Sequence, residues 1–93
     1  MLSLDAQLRI PENVLFTTVE QDVILLNTRS NQYYVLEEVG MRLWELLNQA
    51  GGVREVYQAL LDEYEVSPAE LERDLLELLE HLMENGLVEM VEG

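Results

Sequence analysis

The sequence predicts an α+β fold, a three-stranded antiparallel sheet followed by three helices, and three observations carry that prediction. Residues 14–36 are rich in Val, Ile, Leu, Thr and Tyr and are broken twice by short polar connections. Residues 38–85 carry apolar side chains at helical spacing. Gly51-Gly52 and Ser67-Pro68 then cut that second stretch into three.

Val14–Val19 reads as the first strand, Glu20-Gln21-Asp22 as a tight connection, and residues 23–27, which contain a continuous apolar run, as the second strand of a hairpin. Thr28-Arg29-Ser30-Asn31 supplies short polar side chains that tolerate turn conformations, and residues 32–36 form a third strand with two adjacent tyrosines. The first helix starts near Glu38, where Glu37 and Glu38 put negative charge at the positive end of the dipole, and buries Val39, Leu43, Leu46, Leu47 and Ala50. Gly51-Gly52 stops it. Val53, Val56, Tyr57, Leu60, Leu61 and Tyr64 fall at i, i+3, i+4, i+7, i+8 and i+11, an amphipathic stripe that makes the second helix. Ser67 suits an N-cap, Pro68 the first helical position, and Glu70 completes a capping box. This third helix runs to Asn85 with Gly86 as its stop, and residues 87–91 form a short closing strand or an ordered tail. The first dozen residues and the last few read as frayed ends.

Ninety-three residues at 48% hydrophobic and 26% charged describe one soluble domain over residues 1–93. A chain this short leaves little room for a deep interior active site. Three helices beside a small sheet resemble a winged helix-turn-helix arrangement, which is an architecture and not a function. Nineteen acidic residues against five basic ones give a formal net charge of −14, a sign that repels nucleic acid, anionic headgroups and phosphate-rich substrates. All the cations are arginine (Arg9, Arg29, Arg42, Arg54, Arg73), so there is no lysine for a Schiff base. The absence of cysteine removes disulfides, thiolate nucleophiles and sulfur metal sites, and fits a reducing cytosol. The N-terminus has no basic stretch followed by an apolar run, and no window approaches the ~18 apolar residues of a membrane span. A cytoplasmic protein is expected.

Catalytic chemistry finds little support. His81 lies beside Glu77, Glu80 and Glu84 on the third helix, but one imidazole among surface carboxylates lacks the ligand set of a zinc site and reads as a solvated helix face. No calcium loop, phosphate cradle or activated serine is recognisable, so no catalytic residue, metal or cofactor is expected. Trp44, one step off the apolar stripe, reads as core rather than as a binding anchor. Tyr33 and Tyr34 are neighbours on a strand and must point to opposite faces.

The third helix carries an apolar excess. With Leu75 as origin, Leu71, Leu78, Leu79 and Leu82 fall within about 60°, and Leu76 and Met83 widen the arc to about 100° on one shoulder. Asp74 presents a carboxylate at the other shoulder, beside Leu71 and Leu78. Either the helix is central and touches everything, or part of this stripe lines an open groove. A second wall for such a groove is at hand, because the last strand of a meander is an edge. Gln32, Tyr33, Tyr34, Val35 and Leu36 contain no Pro, Lys or inward charge to protect it, so the edge is either hidden internally or used to capture an extended peptide as an added strand.

The stretch VILLNTRSNQYYVLEEVGMRLWELLN, followed by DLLELLEHLMENGLV, resembles the PqqD family of peptide chaperones, over about residues 14–90. The carriers are the apolar strand, the polar turn and Tyr33-Tyr34 before Leu36, then Glu38-Val39-Gly40 with Leu43-Trp44, and Asp74-Leu75 ahead of Leu78-Leu79 and Gly86-Leu87. Glu37 is a departure, since family members often carry Asn before the Glu-Val-Gly element. The resemblance implies a non-catalytic protein that holds the leader of a ribosomally made precursor peptide against the third strand, with the third helix opposite. A free-standing domain resembles the discrete recognition protein of a lasso-peptide pathway, delivering the leader to a separate cysteine protease while a cyclase closes the core peptide. The residues this places at the peptide are Gln32, Tyr33, Tyr34, Val35 and Leu36 on the strand and Leu71, Asp74, Leu75 and Leu78 on the helix.

From Arg54 onward there are 12 acidic and 2 basic residues, so the bound leader or the protease surface is expected to carry compensating Lys or Arg. The competing reading is a winged-helix transcription regulator, which the architecture permits and the charge opposes: the second and third helices offer only Arg54 and Arg73 toward phosphates.

Overall fold

The computed structural model describes residues 2–91. In chain order these form β1 (Leu8–Arg9), β2 (Val14–Val19), β3 (Asp22–Asn27), β4 (Gln32–Glu37), α1 (Val39–Ala50), α2 (Val53–Glu63), α3 (Pro68–Glu84) and β5 (Glu89–Met90). The predicted meander is β2, β3 and β4, antiparallel in that order, with the three helices after it. Its second strand begins one residue earlier than expected and its third ends one later. No helix among the described residues is long and apolar enough to cross a membrane.

Strand alternation decides which face of the sheet is core. Val23 and Leu25 point to the helices and are buried, as is Leu36 on β4. Leu43, Trp44 and Leu47 of α1, Val53, Val56, Tyr57 and Leu60 of α2, and Leu71, Leu75, Leu79 and Leu82 of α3 meet them in one cluster. Trp44 is 1% exposed and belongs to the core, as its position suggested. Ala50, expected inside, is exposed, because the core beneath α1 ends at Leu47.

Two glycines are dictated by backbone. Gly51 ends α1 at φ 76, and an added Cβ would lie 2.8 Å from the Leu8 carbonyl. Gly86 follows α3 at φ 73, where a Cβ would lie 2.9 Å from the Asn27 side-chain nitrogen. Asn27 is buried at that junction. Its Nδ2 donates to the Asn85 carbonyl (2.8 Å), and its Oδ1 accepts from Asn13 Nδ2 and the Arg29 amide, both at 3.0 Å. The hairpin is thereby fastened to the end of α3.

Two further expectations are corrected. The first dozen residues are not frayed: Leu2, Ala6 and Leu8 are core, and β1 pairs antiparallel with β5. The chain's two ends therefore close on each other, with the last described residue, Val91, donating its amide to the Gln7 carbonyl at 2.9 Å. Met1, Glu92 and Gly93 lie outside the described residues. The capping box at Ser67 is also absent, for Ser67 is extended at the cap position but makes no side-chain cap bond. Pro68 lessens the need, having no N–H to satisfy, and the Tyr57 hydroxyl donates to the Pro68 carbonyl at 3.2 Å, fixing the start of α3 against α2.

Candidate functional site

The outer rim of β4 is the sheet edge that the sequence singled out. Among the described residues β4 pairs only with β3. Which of its backbone groups face outward follows from register. The Thr28 amide donates to the Asn13 carbonyl (3.1 Å), and this pair continues the β2–β3 register, so Leu26, Ile24 and Asp22 turn their backbone groups to β2. Val23, Leu25 and Asn27 then turn theirs to β4, where they meet Leu36, Tyr34 and Gln32. Tyr33 and Val35 are left with their N–H and C=O groups directed away from the sheet. Among the described residues the tail offers no cover, because β5 pairs with β1.

Side chains alternate on the same strand. Tyr33 stands on the outer face at 69% exposure, and Val35 is exposed beside it. Tyr34 points the other way, and its hydroxyl lies 2.7 Å from Asn85 Oδ1 and 2.9 Å from Gln32 Oε1. One ring therefore faces outward and the other reaches the end of α3, the opposite faces that adjacency requires.

Beyond the C-terminal end of β4 a cavity of about 310 Å³ opens between the helices. Leu71, Asp74, Leu75 and Leu78 of α3 all line it, together with Val39, Gly40 and Leu43 of α1, Leu60 of α2, and Val66 and Glu70. All four helix residues predicted for the site are thus brought together. The strand residues are not in the cavity: Gln32 and Tyr34 lie toward the far end of α3, and only Leu36 approaches. A Cβ on Gly40 would sit 3.5 Å from the Leu36 Cβ and 4.0 Å from Leu78 Cδ2, so Gly40 is the seam between strand and groove. The sequence reading did not place Val39, Gly40, Leu43, Leu60, Val66 or Glu70 at the site. A lone apolar residue in the polar connection Glu65-Val66-Ser67 between two helices was the available signal for Val66, which the structure leaves 44% exposed.

Charge frames the groove. Arg42 on α1 makes a two-pronged contact with Glu63 at the end of α2, 2.7 Å from Nε and 2.9 Å from Nη2, tying together the two helices that wall the cavity opposite α3. The hydrogen bond from Arg42 holds the Glu63 carboxyl below its usual range, and the same bond raises the guanidinium. Asp74 stays at the rim, 3.5 Å from Arg73 Nε. A larger, polar cavity of about 750 Å³ lies under the β3–β4 turn, lined in part by Arg9, Glu12 and Arg29, and touches none of the predicted site residues. Among the described residues no cluster of three or more His, Asp or Glu side chains is placed to hold a metal ion.

A family model described as coenzyme PQQ synthesis protein D (PqqD) matches residues 22–88. The chain belongs to the PqqD family. The PqqD match opens at β3 and closes just before β5, so it takes in the β4 rim and every residue of the cavity, and leaves out β1 and β2. Two solved structures are similar over their whole length. TbiB1 in complex with the TbiA(beta) leader peptide is 30% identical, with a TM-score of 0.85, covering 91% of this chain and 99% of its own. A lasso peptide synthetase B1 complexed with the leader peptide is 28% identical, with a TM-score of 0.81, covering 90% of this chain and 99% of its own. No curated protein matches the chain.

Proposed function

We propose that this chain is the non-catalytic leader-binding protein of a lasso-peptide pathway. It holds the leader of a precursor peptide as an added strand on β4 and presents it, in the cytoplasm, to a separate cysteine protease and a cyclase. The observation that carries this reading is the junction of an open rim with an apolar groove: the outward backbone groups of Tyr33 and Val35 lead, through Leu36 and Gly40, to the cavity lined by Leu71, Asp74, Leu75 and Leu78. The two similar solved proteins, each holding a leader peptide, support it.

The two parts of the site have different roles. Each backbone hydrogen bond to the rim contributes a net ~1 kcal/mol and is blind to side chains. Burying one Leu-sized side chain of the peptide contributes about 1.5–3 kcal/mol and depends on its shape. The rim sets direction and the cavity sets selectivity. At about 310 Å³ the cavity is at the small end of ligand-sized pockets, suited to one anchoring segment rather than to a folded partner. The regulator reading is not favoured, since Arg54 and Arg73 are already engaged by Asp5 (2.9 Å) and Asp74 (3.5 Å).

Titrating the folded protein with candidate leader peptides, and following backbone amide shifts, tests the proposal. Movement at residues 32–36 together with Leu71, Asp74, Leu75 and Leu78 is expected. A leader that binds without moving them places the site elsewhere.

A further inference from the structure

The sheet has a second open rim. Among the described residues β2 pairs only with β3, and the same register that directs Leu15, Thr17 and Val19 inward leaves the N–H and C=O groups of Phe16 and Thr18 directed away from the sheet. From Leu15 to Val19 every residue is exposed, and Val14–Val19 contains no proline and no charge. Within the strand itself none of the usual edge protections is present.

Beside this rim lies a cleft of about 220 Å³ between β2 and α1, lined by Phe16, Thr18, Trp44, Glu45, Asn48 and Gln49. Phe16, 42% exposed, stands edge-on to Trp44 with ring centroids 5.5 Å apart and planes at 77°. Trp44 Nε1 is buried and is the one such side-chain polar atom without a hydrogen-bond partner among the described residues. Buried donors are rarely left unmet. An unpaired strand, a half-covered phenyl ring and two side-chain amides thus meet at one place, opposite the peptide rim, with the Trp44 indole packed behind the ring.

We infer that β2 is a second strand-addition site, taking an extended segment of a partner protein with an uncharged, β-branched core and basic flanks. Charge selects this occupant. Glu12 and Glu20 bracket the strand and Glu45 lines the cleft; among the described residues neither Glu12 nor Glu20 forms an ion pair, and Glu45 is only 4.0 Å from Arg42. A second copy fits poorly, because twofold antiparallel pairing of β2 with itself sets the Glu12 end of each strand against the Glu20 end of the other. Strands added at both rims would lie in one continuous sheet, four interstrand spacings of ~4.8 Å apart. The three strands of this protein would then hold a partner and a peptide in fixed relation.

The test uses the isotope-labelled protein with two capped probe peptides, acetyl-Lys-Thr-Val-Thr-Val-Thr-Lys-amide and its Glu-flanked counterpart. The Lys-flanked probe is expected to shift the amides of residues 15–19 and the Trp44 indole N–H, and to bind at least about fivefold more tightly than the Glu-flanked one. Thr18→Pro, which removes an outward donor without touching the β3 ladder, should abolish the shifts, and Glu12→Lys with Glu20→Lys should reverse the preference in a protein with unaltered circular dichroism. Shifts confined to residues 32–37, equal response to both probes, or no response would overturn the inference. So would concentration-dependent self-association abolished by Thr18→Pro, which would make the rim a self-interface. Leader affinity at β4, measured in the same samples, reports separately on the proposed function.

Discussion

At the β4 rim the outward groups of Tyr33 and Val35 run toward a cavity walled by leucines of α3, whereas at the β2 rim those of Phe16 and Thr18 lie over a cleft of amides and one indole. The backbone offered at the two edges is chemically the same. What differs is the helix beside it: α3 presents Leu71, Leu75 and Leu78 with acids only at the rim, and α1 presents Trp44, Asn48 and Gln49. An edge strand supplies affinity for anything extended, and the flanking helix face decides which extended chain stays. The apolar excess on α3 therefore has two duties: Leu79 and Leu82 are fully in the core, while Leu78 is half-buried at the groove.

The largest expected effect comes from placing prolines at matched positions. Val35→Pro removes an outward donor, leaves the leader carbonyl opposite it unmatched and puts a ring against the added strand, so it should weaken leader binding by at least about 30-fold while leaving a cooperative thermal transition near that of the parent. Tyr34→Pro, one residue away, removes a ladder bond to Leu25 and should cost on the order of 3 kcal/mol of stability by denaturant unfolding. Thr18→Pro should leave leader affinity unchanged in calorimetry. Equal loss of leader binding in Thr18→Pro and Val35→Pro would erase the distinction between the rims.

A smaller effect is expected from the cavity. Val66→Asp places a charge at an exposed lining position, so leader affinity should fall about tenfold by fluorescence anisotropy with stability unchanged, because little core contact is lost. Salt should act more weakly still: between about 50 and 300 mM, affinity for a leader carrying Lys or Arg should drop a few-fold. A flat salt response would remove the electrostatic attraction and leave the groove intact.

The smallest effect concerns the clamp on the β4 side. Because the folded Glu63 carboxyl titrates below its unfolded range, its pairing with Arg42 contributes above the ordinary carboxylate value and is lost as pH falls through the lowered one. Below about pH 4 the thermal midpoint of the parent should fall more steeply than that of Glu63→Gln. Parallel curves would show that the clamp adds nothing.

Much of this architecture is written locally. The β-branched runs of the meander, the stripe from Val53 to Tyr64 and the glycine stops act over a few residues, and the strands and helices formed where those signals lie. Trp44 was legible as core because the turn of the helix fixes its direction. The closure of the ends was not legible, since β1 and β5 are two residues each and Leu8 meets Met90 from the far end of the chain. Leu2, Ala6 and Leu8 look like a ragged start until that partner is in place. At the site, the strand edge and the leucines of α3 could be read singly. The cavity they serve is closed by Val39, Gly40, Leu60 and Val66 from three other segments, and no periodicity along the chain encodes that meeting.

Amide hydrogen exchange at single-residue resolution, with and without a saturating leader peptide, tests the strand-addition claim most directly. The Tyr33 and Val35 amides, which face outward, should exchange much more slowly in the complex, while those of Gln32, Tyr34 and Leu36, already bonded to β3, should change little. A bound leader that leaves Tyr33 and Val35 exchanging as fast as in the free protein would contradict it.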